Sequence, residues 1–238
     1  MARPTTQIKT EVYISAKLTV AQSSIRSFFF DGPAGRLEAL LNAGTAGATY
    51  AGLVCHPHPL GGGTMHNKVV FHTMKALNHF GFPVLRFNFR GTGLSAGTHD
   101  EGRGEIDDVK AALAWLKREF ALPILFAGFS FGSAVGLRAA CPDPHVKALI
   151  SIGTPVTAEG RAYSFSFLHG CAKPKLFISG DRDQYGPHSA LEAVVAQAAD
   201  PKQLVIVPGD HFFAGHLSEM RMTIESWVAE FLAIREAH

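Results

Sequence analysis

From residue 50 onward the chain alternates two hydrophobic rhythms. Short, nearly continuous apolar runs stand at 50–55 (YAGLVC), 83–89 (PVLRFNF), 124–127 (ILFA), 146–152 (VKALISI), 175–179 (KLFIS) and 203–207 (QLVIV). Runs of this length without polar alternation predict strands buried on both faces. Between them apolar residues recur three or four apart, as in Val70, Met74, Leu77 and Phe80, or Ile106, Val109, Leu113 and Leu116. That spacing collects apolar side chains on one helical face and predicts helices over 67–80, 105–120, 189–199 and 217–234. Gly81 closes the first, and Asp107 and Asp108 occupy the first turn of the second, where the helix dipole favours acids. A small-residue helix follows residue 130. Strand–helix alternation predicts an α/β fold: a mostly parallel sheet with helices on both faces. Upstream, 27–30 and 36–40 flank Asp31-Gly32-Pro33-Ala34-Gly35 and read as a hairpin, an antiparallel N-terminal edge. Residues 1–24 read as an arm or edge strand ahead of a single domain over 25–238.

Composition narrows the class. With 238 residues and 47% hydrophobic content the chain supports one large core. A net charge of +2 gives no reason to expect nucleic acid or an anionic membrane as partner. No apolar run approaches the length of a membrane span. Near the N-terminus Glu11, Ser15 and Lys17 interrupt the apolar residues, which argues against a secretory signal. Three cysteines, Cys55, Cys141 and Cys171, make neither an even set nor a CxxC pair, and read as reduced buried thiols of a cytoplasmic protein. The oligomeric state is left open.

The candidate chemistry sits in loops directly after strands. Gly128-Phe129-Ser130-Phe131-Gly132 joins a strand to a helix, with a serine at the apex. The flanking glycines suit a bend in which any Cβ would clash. Asp181 and Asp183 follow the 175–179 run, and His211 follows the last. In a parallel sheet all three loops share one rim. The chain order Ser, Asp, His is that of a nucleophile elbow with its partners. A serine hydroxyl needs an imidazole to take its proton, and the imidazole needs a carboxylate to fix its tautomer. The competing readings are a buried turn serine and an ordinary loop histidine among 12. Developing negative charge would be met by the amide of Phe131, at a helix N-terminus, and by a second amide from the loop His56-Pro57-His58-Pro59-Leu60-Gly61-Gly62-Gly63. Pro57 and Pro59 have no N–H to offer.

The runs HPHPLGGGTMHNKVV, FNFRGTGLSAG and GFSFG together resemble the α/β-hydrolase superfamily, and within it small bacterial serine hydrolases related to the dienelactone hydrolases. The resemblance spans about residues 25–236 and implies the α/β-hydrolase fold with a minimal lid. It places the acid at the end of a G-x-x-D pattern, hence on Asp183, with Asp181 as a turn residue making its own local bonds. It points to His58 as second oxyanion donor, with Leu60 as substitute. Phe129 and Leu60 are candidate walls of an apolar substrate pocket, and Phe165, Phe167 and Leu168 could line one side. The implied reaction is hydrolysis of short-chain carboxylic esters through an acyl-enzyme on Ser130, His211 and Asp183, with a small-molecule ester as partner and no cofactor. Thioesterase, lactone hydrolase and peptidase activities would use the same groups. A binding protein with a degenerate site is the reading of another class.

Two further patterns carry less. His56, His58 and His66 hint at a metal, but no Cys or carboxylate completes a ligand spacing, so no metal is expected. Gly91-Thr92-Gly93-Leu94-Ser95-Ala96 fits a dinucleotide fingerprint, yet the next helix starts too late to receive a phosphate. Arg90, before it, reads as a structural ion-pair partner.

Overall fold

In a computed structural model, residues 24–157 and 163–236 are described. The arm expected over 1–24 falls almost wholly outside them. Eight strands form one sheet in the order β1-β2-β4-β3-β5-β6-β7-β8. β1 (Ile25–Gly32) and β2 (Gly35–Asn42) make the N-terminal hairpin, and β2 pairs antiparallel with β4 (Val84–Phe87). β3 (Ala51–Cys55), β4, β5 (Ile124–Phe129), β6 (Val146–Ile152), β7 (Lys175–Gly180) and β8 (Lys202–Val207) are parallel.

Every residue of β3, β4 and β5 is buried, which is why these strands read as nearly continuous apolar runs; the exception, Arg86 in β4, is buried with its guanidinium on Met65 O and Asn42 Oδ1. Alternate side chains serve two cores. Ile124 and Phe126 face α2 (Arg103–Phe120), α3 (Phe131–Ala140) and α4 (His188–Gln197); Leu125, Ala127 and Phe129 face α1 (Lys68–Asn78) and α5 (Leu217–Glu236). Each fully buried Phe or Leu contributes about 1.5–3 kcal/mol.

The strand order reverses direction at β3. From β3 the chain crosses through α1 to β4 on one side, then through α2 to β5 on the other. Right-handed crossovers in opposite directions put their helices on opposite faces, and a crevice opens between the ends of β3 and β5. The loop 56–63 and Ser130 meet there.

Three local readings change. Asp108 is not simply a first-turn acid: it is fully buried and receives Arg90 through Nε and Nη2 at 2.7–3.1 Å. The role of first-turn acid belongs to Glu105, whose Oε2 accepts the Gly102 amide at 2.8 Å. Cys141 and Cys171 form a disulfide, with Cα atoms 5.8 Å apart, and only Cys55 is a free, buried thiol. An odd count does not forbid one pair, and the end of α3 and the short 3-10 turn at Ser166–Gly170 bring these two together. The cysteines therefore lend no weight to a cytoplasmic reading. No helix among the described residues is long and apolar enough to cross a membrane.

Candidate active site

Ser130 directly follows β5 with φ 53° and ψ −120°, a left-handed conformation that a residue with a Cβ adopts only under constraint. The constraint is visible on both sides. The Ser130 amide donates to Ile152 O at 2.8 Å, and its carbonyl accepts Ser133 Oγ at 2.7 Å and the Ala134 amide at 3.1 Å. The flanking glycines answer two different crowding problems. A Cβ on Gly128 would lie 2.5 Å from the Gly132 carbonyl, within the turn, as the sequence suggests. A Cβ on Gly132 would lie 2.5 Å from His56 O and 2.6 Å from Cys55 O. The second glycine thus lets α3 press against the end of β3.

The apex side chain meets two others. His211 Nε2 lies 2.9 Å from Ser130 Oγ, and His211 Nδ1 lies 2.9 Å from each carboxylate oxygen of Asp183. A carboxylate can only accept, so Nδ1 carries the proton and Nε2 presents its lone pair to the serine hydroxyl. His211 and Asp183 are both nearly fully buried. Asp183 also accepts the amides of Tyr185 and Gly186 on Oδ1, at 2.9 and 3.1 Å, and Ser179 Oγ on Oδ2 at 3.1 Å. Burial pushes the Asp183 carboxyl up, but the hydrogen bond and charge of His211 and the two amides outweigh it and hold it below the usual carboxylate range.

The ring of His211 is fixed by packing. It lies over Phe129 at 5.0 Å and 33°, and Tyr185 meets it edge-on at 4.7 Å. Gly153 makes room, because a Cβ there would stand 3.1 Å from His211 Cε1. Asp181 does not close its own turn. Its Oδ1 accepts the Gly209 amide at 2.8 Å, tying the β7 loop to the β8 loop that carries His211. Asp210 Oδ1 shapes that loop further by accepting the amides of Phe212 and Ala214.

Opposite the serine, loop 56–63 is not plain coil: Pro59–Gly61 forms one 3-10 turn. His56 is fully buried and pins the loop. Its Nε2 accepts the Phe89 amide and its Nδ1 donates to Pro57 O, so both ring nitrogens are engaged with the chain. The amides of Leu60, Gly61, Gly62 and Gly63 are all spent inside the loop, on His58 Nδ1, His58 O, Pro59 O and His58 O. Leu60 is therefore excluded as an amide donor to a substrate. Among the described residues no three His, Cys, Asp or Glu side chains gather as metal ligands.

A cleft of about 160 Å³ holds Ser130, His211, His58, Phe131 and Gly61, and it also holds Asn67. The sequence marks Asn67 only as a helix start, and nothing in its spacing signals a place beside the serine. A wider groove of about 900 Å³ adjoins, sharing His58, Phe131 and Tyr163 with the cleft and running along Ala134, Val135 and Arg138 of α3. Leu60 lines this groove, not the cleft, and is mostly exposed. Phe129 lines neither: β5 alternation turns it to the α1/α5 face, beneath His211. Phe165 and Leu168 are also withdrawn, into the core on the α3/α4 side, and Tyr163 joins Phe131, Tyr185 and Phe212 as an aromatic lining of the cleft. A hollow of about 720 Å³ near Tyr50, Trp227 and Phe231 lies at the opposite ends of the strands, away from this chemistry.

Comparison with known proteins agrees with the geometry. The chain is 35% identical over 208 residues to an uncharacterized protein of Rickettsia prowazekii, covering 84% of this chain and 87% of that one. It is similar to a solved alpha-beta serine hydrolase homologue from Coxiella burnetii, with 40% identity, TM-score 0.78, and 84% and 96% of the two chains covered. It is similar also to a solved serine hydrolase without lid from Xanthomonas campestris, at 35% identity, TM-score 0.79 and coverage of 87% and 94%. Residues 52–234 match the family described as alpha/beta hydrolase domain. With the sheet order and that match over most of its length, the chain belongs to the alpha/beta hydrolase family.

Proposed function

We propose that this hydrolase cleaves short-chain carboxylic esters through an acyl-enzyme, with Ser130 as nucleophile, His211 as base and Asp183 as the acid that orients it. The supporting observation is the continuous line from Asp183 through His211 Nδ1 and Nε2 to Ser130 Oγ, each step 2.9 Å. Ser130 Oγ bonds to the ester carbon as its proton passes to His211 Nε2. The resulting imidazolium is stabilised by Asp183, whose low carboxyl keeps it charged. The tetrahedral oxyanion is met by the amide of Phe131, at the start of α3, and by that of His58. The bond to the alcohol oxygen then breaks, and that oxygen takes the proton from Nε2. Water repeats the sequence: it gives a proton to Nε2, bonds to the acyl carbon and releases Ser130, which recovers the proton. Acid and alcohol leave, and no cofactor enters the balance.

Short substrates follow from the small cleft at the serine. Turnover of p-nitrophenyl acetate by the wild-type protein, compared with Ser130→Ala, tests the proposal. A fluorophosphonate adduct mapped to Ser130 by mass spectrometry should accompany it. Equal rates for the two proteins would remove the reading.

A further inference from the structure

Asn67 is held in the cleft in one orientation. Its Oδ1 accepts the amides of Val69 at 2.9 Å and Val70 at 3.5 Å, capping α1. Backbone amides only donate, so the oxygen end of the carboxamide is fixed and Nδ2 is turned away from them. Among the described residues Nδ2 has no hydrogen-bond partner, although Asn67 lines the same cleft as Ser130 and His211. The loop beside it offers little else, since the amides from Leu60 to Gly63 are already used. The N-cap of α1, Asn67, and the N-cap and first residue of α3, Ser130 and Phe131, border this one small space. The positive ends of both helix dipoles favour an electron-rich atom there over a hydrocarbon.

We propose that Asn67 is a specificity-determining residue whose Nδ2 donates to an oxygen acceptor on the substrate, outside the scissile carbonyl. The preferred substrates are then short esters that carry an ether, hydroxyl or carbonyl oxygen close to the ester group, in the acyl or the alcohol portion. This rests on the esterase reading above. Asn67 is half-buried, so its donor favours the substrate that offers an acceptor over the analogue that lacks one by the modest margin of a single net hydrogen bond.

The experiment compares matched pairs. For the acyl portion the pair is p-nitrophenyl methoxyacetate and p-nitrophenyl butanoate. For the alcohol portion it is 2-methoxyethyl acetate and butyl acetate. Each pair differs by oxygen for methylene. Wild type, Asn67→Ser and Asn67→Asp are assayed with all four. Ser and Asp are both good helix caps, so α1 keeps its start, and thermal melts check this. Differences in intrinsic ester reactivity are common to all three proteins and cancel in the oxygen-to-methylene ratio of kcat/KM. The expected result is a fall in that ratio of at least about threefold in both variants, in one of the two pairs. Ratios that stay within that bound in both pairs overturn the proposal. Wild-type protein that hydrolyses none of the four removes the esterase reading itself, and this inference with it.

Discussion

His56 Nε2 accepts the Phe89 backbone amide at 3.0 Å, and this bond ties the loop facing Ser130 to the end of β4. The Phe89 amide can only donate, so the imidazole must stay neutral to receive it. Burial lowers its pKa to about 3, against the Pro57 hydrogen bond, which raises it. An unfolded chain takes up a proton on this ring below about pH 6.5, and the folded chain does not. Stability therefore rises with pH across that window. It is complete above the window and is lost on acidification toward pH 3, at up to about 1.4 kcal/mol per pH unit. Urea melts between pH 8 and 5 should show this loss in wild type and a shallower one in His56→Gln. Parallel curves would contradict it.

Asp183→Asn should abolish most activity without unfolding the protein. The Asn oxygen can still accept the Tyr185 and Gly186 amides, but its NH2 faces Nδ1 and drives the imidazole proton to Nε2, toward Ser130. A fall in kcat of about 10⁴-fold is expected, with KM little changed. Steady-state kinetics on p-nitrophenyl acetate, with circular dichroism as the folding control, decide it.

Gly132→Ala places a methyl against the Cys55 carbonyl at the end of β3 and the His56 carbonyl just after it, and neither can move without disturbing the paired end of the strand or the loop that His56 pins. The cost should reach or exceed the upper part of the overpacking range, about 1–3 kcal/mol. Gly170→Ala, where nothing stands within 4 Å, is the control and should leave the melting temperature nearly unchanged.

An acyl chain too long for the small cleft at Ser130 would have the adjoining groove along α3 to enter. Ala134→Leu should reduce kcat/KM for p-nitrophenyl hexanoate by about tenfold relative to acetate, if the longer chain lies there. An unchanged chain-length profile would place the acyl chain elsewhere.

Much of the fold was written in the hydrophobic rhythm. β6 falls on residues 146–152 as predicted, and α5 begins at Leu217 as predicted, because both carry long uninterrupted patterns. The convergence of the three loops was legible too, since parallel strands put their following loops on one rim. Contacts between distant segments were not. Phe129 looked like a pocket wall because it neighbours Ser130 in sequence, whereas strand alternation turns it under His211. Asp181 looked self-contained, yet it braces the His211 loop 28 residues away. The Cys141–Cys171 pair depends on how the chain between α3 and β7 folds back, which no local spacing encodes.

The position of β8 gives the two halves of the proposed site unequal security. Ser130 is anchored to β5, clasped between β3 and β6, whereas the loop bearing His211 leaves a border strand that, among the described residues, has a neighbour on one side only. Openings that peel away the border cost less than those that breach the centre. Under rising denaturant the imidazole should desert its serine while the middle of the sheet still stands, and turnover should fade before hydrogen exchange reports the opening of β3 and β5.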